Sequence, residues 1–338
     1  RSLILLLLVP VAALAQQVEV ETFTVPRPVE RAVPDYPGSQ AMRGGEGLVF
    51  VDFMVGTDGK AFDPVVVESS GDEDFHEAAL EALSESTFEP ATLSGEPIVG
   101  SMRVLYRFDM EGDFGEGASP AFVSAFRRLQ RALEEQDSEE IEARLARLES
   151  LETRNHYEYA FLGLARYSHA VLYGTPRQRL DHLRQALSVS WSPEDRLYLD
   201  EDLVRDLRRA QLSLMLQLNF FAEAIKTFEL MQENEDAEGI AAFRDVIATV
   251  EALKHDDSEY FIPLELDESG SASVLLFKNR FALTEGEGDL AEAVLRCERQ
   301  YVAFQVERDI SYDVPGDWGE CSLQILGDSS ANFFLMQH

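Results

Sequence analysis

The sequence predicts a multidomain α+β protein in which a small ββαβ domain precedes an all-α region and an antiparallel β-sandwich. Near the N-terminus, strand-like apolar runs surround one helical run. A long middle segment keeps apolar residues at helical spacing with few Gly or Pro, and the last segment returns to short β-rich runs between turn residues. The predicted domains span residues 31–110, 121–255 and 256–338, with a linker at residues 111–120.

The first predicted domain has four elements. The run "GLVFVDFMV" is strand-like and ends near Asp58-Gly59, which suits a hairpin turn. In the second run, "AFDPVVVESS", Pro64 lacks a backbone donor and indicates an edge strand or a bulge. Asp72 can cap a helix, and "SMRVLYRFDM" closes the unit as a strand. One face of that helix carries Phe75, Ala78, Ala79, Ala82 and Leu83.

The middle region begins with Ser119-Pro120, a cap residue followed by a residue suited to the first helical position. About seven helices joined by short turns are predicted up to residue 255, in an arrangement typical of stacked helical hairpins. Seven short strands are predicted after Tyr260, and they indicate an antiparallel sandwich or a small barrel. Cys297 and Cys321 are the chain's two cysteines, and we expect a disulfide worth roughly 3 kcal/mol.

The N-terminal residues "RSLILLLLVPVAALAQQ" predict a signal peptide over residues 1–15, followed by a short extended segment over residues 16–30. A membrane anchor is the alternative, although the apolar run is shorter than the roughly 20 residues of a spanning helix. If the signal is cleaved, the protein is periplasmic or extracellular. If it is retained, the protein is anchored in the inner membrane.

The net charge and the absence of known catalytic and metal-binding motifs exclude several classes of function. The formal net charge is −33, with 62 acidic and 29 basic side chains, which disfavours nucleic acid and anionic lipid as partners. No phosphate loop, nucleophile elbow, zinc motif or calcium loop is present, and the histidines show no ligand spacing. We therefore expect a binding protein with no cofactor and no metal, although sequence leaves paired catalytic carboxylates open.

Five motifs in order give residues 31–110 a family resemblance. They are "DYP", "GEGLVFVDFMVGTDGK", "VVVESSG", "ALEALSESTFEPA" and "GEPIVGSMRVLYRFDM". This segment resembles the C-terminal domain of TonB, the bacterial energy transducer. The middle region resembles tetratricopeptide repeats more weakly, through "EYAFLGLARYSHAVLY" and "RAQLSLMLQLNFFAEAIKTFELM".

The TonB resemblance implies that an extended peptide of an envelope partner adds to the edge of the last strand, with a TonB-dependent outer-membrane receptor or transporter as the expected partner. Arg103 and Arg107 would face outward, as partners for an acidic peptide or as charges that protect the edge. Tyr36 and Pro37 would hold the entry segment and contact the partner. The expected edge comprises Met102, Arg103, Val104, Leu105, Tyr106, Arg107 and Phe108.

The chain also departs from a working transducer. Only "QQVEVETFTVPRPVERAV" separates the signal from the domain, where a transducer has a long spacer, and "SESTFEPA" lacks the family's Trp and basic residue. The first hypothesis is a periplasmic binding or scaffold protein that captures a peptide by strand addition and is linked to TonB-dependent transport. The alternatives are a membrane-anchored energy transducer and an envelope hydrolase with its site in the C-terminal β domain.

Overall fold

The computed structural model describes residues 22–70, 72–110, 117–153, 155–188, 198–234 and 239–338. Three regions follow one another in the predicted order: a mixed N-terminal domain, a helical region and a β-rich C-terminal region. The predicted signal peptide, residues 16–21 and linker residues 111–116 lie outside the described residues.

An antiparallel three-stranded sheet forms the base of the N-terminal domain. Its strands are β3 (Gly47–Val55), β4 (Ala61–Ser69) and β8 (Gly100–Phe108), in the order β4-β3-β8, and helix α2 (Glu73–Glu85) packs on one face. Pro64 lies in β4, an edge strand whose pairing with β3 has two register shifts, as the missing N–H predicts.

Helix α2 begins where it was predicted, but its cap differs. Asp72 occupies the N-cap position without a side-chain capping bond. Its carboxylate instead accepts a 2.6 Å hydrogen bond from Gln40 Nε2 and pairs with Arg43 at 3.1 Å. The predicted side-chain cap by Asp72 is therefore wrong, and two side chains of helix α1 (Gly38–Arg43) bind its Oδ2 instead.

The domain contains short elements that the sequence did not predict. The N-terminal strands, which lie in the predicted extended segment of residues 16–30, pair with strands after α2. The pairs are β1 with β6, β2 with β5, and β6 with β7. The bounds are β1 (Phe23–Thr24), β2 (Arg27–Glu30), β5 (Thr87–Glu89), β6 (Ala91–Leu93) and β7 (Glu96–Ile98).

Helices of the middle region pack against their neighbours in sequence. Ser119 Oγ accepts a hydrogen bond from the N–H of Phe122 and Pro120 begins the first helix, as predicted. Gly163 allows close packing of two helices, since a Cβ there would lie 2.6 Å from the nitrogen of Ala186. The likeness to tetratricopeptide repeats stays a prediction. The helices are α3 (Pro120–Glu135), α4 (Ser138–Glu149), α5 (His156–Tyr173), α6 (Pro176–Ser188), α7 (Glu201–Gln217), α8 (Phe221–Asn234) and α9 (Ala241–Leu253).

The C-terminal region consists of two four-stranded antiparallel sheets, in the orders β10-β15-β12-β13 and β14-β11-β16-β9. The sequence predicted seven strands and missed the three-residue β14. Apolar side chains from both sheets join one core, as a sandwich requires. The strands are β9 (Tyr260–Glu265), β10 (Ser271–Leu275), β11 (Arg280–Thr284), β12 (Leu290–Cys297), β13 (Tyr301–Gln305), β14 (Ser311–Asp313), β15 (Cys321–Gly327) and β16 (Asn332–Gln337).

The two cysteines face each other across neighbouring strands. Cys297 of β12 is registered with Cys321 of β15, both side chains are buried, and their sulfur atoms are at disulfide distance. The bond closes a loop of 24 residues near the junction with the N-terminal domain.

The N-terminal sheet is covered on both faces. Side chains of β3 and β8 that point to α2 form one core, whereas Leu48, Phe50 and Leu105 on the opposite face join the core of the helices and the C-terminal sheets. Tyr159 of α5 also donates a 3.0 Å hydrogen bond to the carbonyl oxygen of Ser69. The two edges of the sheet are β4 and β8. Among the described residues, no helix has the length and apolar character needed to cross a membrane.

Candidate functional site

Strand β8 lies at the edge of its sheet. It pairs with β3 over its whole length, from Phe108 opposite Gly47 to Gly100 opposite Val55. No strand in the described part of the chain pairs with its other side. One side of β8 is therefore without a strand partner among the described residues.

Leu48 shows which backbone groups of β8 face outward. Its N–H donates to Ser70 Oγ at 2.9 Å and its carbonyl accepts from the N–H of Ser70 at 3.0 Å, so both groups point away from β8. Backbone groups alternate along a strand, so the odd-numbered residues of β3 point to β8 and bond its even-numbered residues. The free N–H and C=O groups of β8 thus belong to Ser101, Arg103, Leu105 and Arg107.

Arg31 occupies one of these free groups. Its guanidinium donates to the carbonyl oxygen of Leu105 and lies 5.1 Å from the ring centroid of Tyr106. The N–H of the next residue, Ala32, bonds Ser86 Oγ at 3.1 Å, which fixes the chain beside the sheet. An incoming strand would meet the side chain of Arg31 near the middle of the edge.

Arg103 is held by a neighbour on β3. Its Nη2 lies 2.7 Å from Asp52 Oδ2, its Nε bonds the other oxygen, and the two residues are in register across the strands. The bond to Asp52 raises the pKa of Arg103 despite the opposing effect of burial. Its side chain is still 58% exposed, so it lies on the surface with its charge neutralised.

Arg107 does not face outward as predicted. Its side chain is only 18% exposed, because Nη2 contacts Tyr198 Oη at 3.3 Å and Asp109 Oδ1 at 3.3 Å. The prediction of an outward Arg107 is therefore wrong, because Tyr198, three residues before the start of helix α7, covers its guanidinium. The two arginines predicted to select an acidic peptide are each paired with a carboxylate of this chain.

Other segments limit both ends of the edge. At the beginning of β8, the carbonyl oxygen of Glu298 lies 3.1 Å from the position that a Cβ on Gly100 would take. At the other end, Tyr198 covers Arg107.

Tyr36 and Pro37 lie on the α2 side of the sheet. The ring of Tyr36 makes edge contacts with Phe75 at 6.0 Å and Phe108 at 5.9 Å, and its hydroxyl donates to the carbonyl oxygen of Gly45. Burial, together with Glu46 and Asp109, raises the pKa of Tyr36 to about 12. The Pro37 carbonyl accepts from the N–H groups of Gln40 and Ala41 in α1. These contacts hold the entry segment, and the partner contact of the pair stays a prediction.

The carboxylate of Asp109, directly after β8, makes the contact between the N-terminal domain and helix α5 sensitive to pH. His156 Nε2 lies 3.1 Å from Asp109 Oδ1, and this bond, followed by Arg107, lowers the pKa of Asp109 from 3.8 to about 2, although burial opposes the shift. A lowered pKa in the folded protein contributes stability above the unfolded-state pKa, and this contribution is lost as the pH falls towards 2.

We expect Asp109→Asn to lower the free energy of unfolding by about 1 kcal/mol at neutral pH, a value reduced because the Asp109 side chain is half exposed. The difference from the unsubstituted protein should shrink as the pH falls below about 4. Urea unfolding of both proteins over this range would measure it. A difference that stays constant down to the lowest pH would contradict the assignment.

The structure brings some predicted residues together and adds others. The seven residues from Met102 to Phe108 do form one edge strand, but Cys297 and Cys321 lie in the C-terminal sheets. Arg31, Tyr198 and Glu298 were not predicted at this site. Asp52 was not predicted here either, but its position could have been found from the sequence, because aligning β3 with β8 places it opposite Arg103. Among the described residues, no group of three or more His, Cys, Asp or Glu side chains could hold a metal.

Comparisons with known proteins agree on this part of the chain. The family model for the Gram-negative bacterial TonB protein C-terminal matches residues 32–110. Protein TonB of Vibrio cholerae serotype O1 (strain ATCC 39315 / El Tor Inaba N16961) is 33% identical over 79 residues, which cover 23% of this chain and 32% of that protein. This chain thus spans about a third of the length of that curated relative.

A solved structure matches 26% of the chain in sequence. The solution NMR structure of the Pseudomonas aeruginosa TonB C-terminal domain has 30% sequence identity, covers 26% of this chain and 90% of its own, and gives a TM-score of 0.24. The sequence matches coincide with the segment that contains β3, α2 and β8. Residues 32–110 are thus a TonB C-terminal segment.

Proposed function

We propose that this protein is a TonB-type envelope protein that captures an extended segment of an envelope partner at the free edge of β8. The single observation that carries the proposal is this edge, whose outward N–H and C=O groups lack a strand partner among the described residues. In strand addition, main-chain hydrogen bonds supply affinity and flanking side chains supply selectivity.

The charges around β8 favour recognition through the main chain. Arg103 is paired with Asp52 and Arg107 with Asp109, so neither guanidinium offers a free charge to a ligand. The segment that binds would be short, because Glu298 and Tyr198 limit the two ends. It would also have to displace or lie beside Arg31, which holds the carbonyl of Leu105.

The proposed setting is the periplasm. The match to the TonB family supports an envelope protein, and a disulfide between Cys297 and Cys321 would persist in an oxidising compartment. The partner would be an envelope protein, with a TonB-dependent outer-membrane receptor or transporter as the first candidate. Such capture is a binding activity and uses no catalytic group.

The decisive experiment compares Arg103→Pro with Arg103→Ala in the full chain. Both substitutions remove the ion pair with Asp52, but only proline removes the outward N–H of residue 103. Proline should leave the bonds between β3 and β8 intact, because the N–H of residue 103 points away from β3. Val104→Pro would not serve, since the N–H of Val104 points towards β3.

We expect a partner captured from a Gram-negative outer-membrane extract to bind Arg103→Ala nearly as well as the unsubstituted protein. The affinity of Arg103→Pro should fall about tenfold or more, because a main-chain bond of the added strand is lost and its partner group is left unsatisfied. Circular dichroism of both variants checks that the fold is retained. Equal capture by the alanine and proline variants would refute strand addition at this edge.

A further inference from the structure

A pocket of about 260 Å³ lies between the helical region and the C-terminal sheets, far along the chain from the TonB C-terminal segment. Its walls come from α8, the residue after α9, the loop after β10 and the loop before β15. A second pocket of about 300 Å³ is adjacent and shares Lys254, Lys278, Asn279 and Val314 with it. Each volume lies near the lower end of the range of small-molecule sites.

Lysines are concentrated at this pocket. The whole chain has four lysines, and Lys226, Lys254 and Lys278 all line the pocket, while Lys60 lies elsewhere. In a chain with a net charge of −33, this is an unusual concentration of ammonium groups.

Two of the three ammonium groups have acceptors in the chain. Lys226 Nζ lies 2.7 Å from Glu320 Oε2. The buried Lys278 donates to the carbonyl oxygens of Asp256 at 2.9 Å and Ser258 at 2.6 Å, and it lies 3.2 Å from the Asp256 carboxylate. These contacts give both lysines a structural role.

Lys254 and Glu229, unlike Lys226 and Lys278, have no ion-pair partner among the described residues. Both side chains are exposed and line the pocket. Lys254 follows the C-terminus of α9, where a positive charge complements the helix dipole, but this leaves its N–H groups free to bind a ligand. The pocket thus offers one free cation and one free anion beside apolar walls of Ile225, Leu276, Phe277 and Val314.

We propose that this pocket binds a small zwitterion with an apolar body, such as an apolar α-amino acid. The ligand carboxylate would bind Lys254, its ammonium group would bind Glu229, and its apolar part would contact the walls around Ile225 and Phe277. A ligand with both charges can pair with both exposed groups, whereas a simple anion or cation can pair with only one of them.

Three probes with the same branched apolar body test this proposal on the full chain. Leucine carries both charges, isocaproate carries only the carboxylate and isoamylamine carries only the ammonium group. Ligand-observed NMR titration should give saturable binding of leucine with a Kd of about 1 mM or lower, and binding about tenfold weaker for the other two probes. Each single-charge probe loses one charge-assisted contact.

Variants assign each contact. Lys254→Gln should remove the advantage of leucine over isoamylamine, and Glu229→Gln should remove its advantage over isocaproate. Lys60→Gln changes the remaining lysine, outside the pocket, and should bind leucine unchanged. No saturable leucine binding up to about 10 mM, or unchanged leucine affinity in Lys254→Gln and Glu229→Gln, would overturn the proposal. Neither result would bear on strand addition at β8, because the pocket and that edge consist of different residues.

Discussion

Replacing Phe75 by alanine should lower the free energy of unfolding by about 3–5 kcal/mol. The side chain is 1% exposed and lies between α2 and the sheet. Its ring contacts that of Phe108 at 4.7 Å and that of Tyr36 at 6.0 Å. Loss of the ring would remove the surface that holds both the end of β8 and the entry segment.

The neighbouring backbone cannot readily fill the resulting cavity. A Cβ on Gly47 would lie 2.6 Å from a ring carbon of Phe75, so the ring already packs directly against the backbone of β3. Glu77→Ala is the matched control, because Glu77 is exposed on the same helix and its loss should change stability by less than about 0.5 kcal/mol. Urea unfolding measures both variants. A loss below about 1 kcal/mol for Phe75→Ala would show that this core repacks.

Sequence periodicity predicted the long elements of the N-terminal domain because each repeats its pattern over many residues. Side chains of β8 alternate between the two faces of the sheet, as the two-residue period requires. Met102, Val104 and Tyr106 point towards α2, and Arg103 and Leu105 point to the other face. The short strands β1, β2 and β5 to β7 have two to four residues each. No periodicity can be read from so few residues, so only the structure revealed them.

Whether the arginines of β8 are exposed or paired depends on contacts with segments that are distant in the sequence. The outward position of Arg103 was predictable, and its pairing with Asp52 follows from the strand register. The covering of Arg107 by Tyr198 joins residues 91 positions apart, and Arg31 reaches Leu105 over 74 positions. Such contacts arise from packing between regions, for which a single sequence carries no local signal.

The composition of β3 did contain an unused signal. "GLVFVDFMV" is nearly continuous in apolar residues, which is typical of a strand buried on both faces and not of one with a solvated face. The structure places Leu48 and Phe50 in the core shared by the helices and the C-terminal sheets, opposite the face that α2 covers. The continuous run therefore indicated that the domain packs against the rest of the chain.

Leu48→Ala tests this packing, and we expect it to lower the free energy of unfolding by about 2–5 kcal/mol. Leu48 is 0% exposed and belongs to the core shared by the helices and the C-terminal sheets. The adjacent Val49 is also 0% exposed but belongs to the core under α2, so Val49→Ala is a matched control on the opposite face. Both substitutions remove buried methyl groups from the same strand.

The two variants should differ in where stability is lost. Hydrogen exchange of Leu48→Ala should increase in β3 and in helices α5 and α6, because apolar side chains of these helices belong to the same core as Leu48. In Val49→Ala the increase should be confined to the sheet and α2. If exchange in α5 and α6 is the same in both variants, the outer face of the sheet does not hold the helical region in place. The edge of β8 would then be free to move relative to Tyr198, and the limit on the length of a bound segment would disappear.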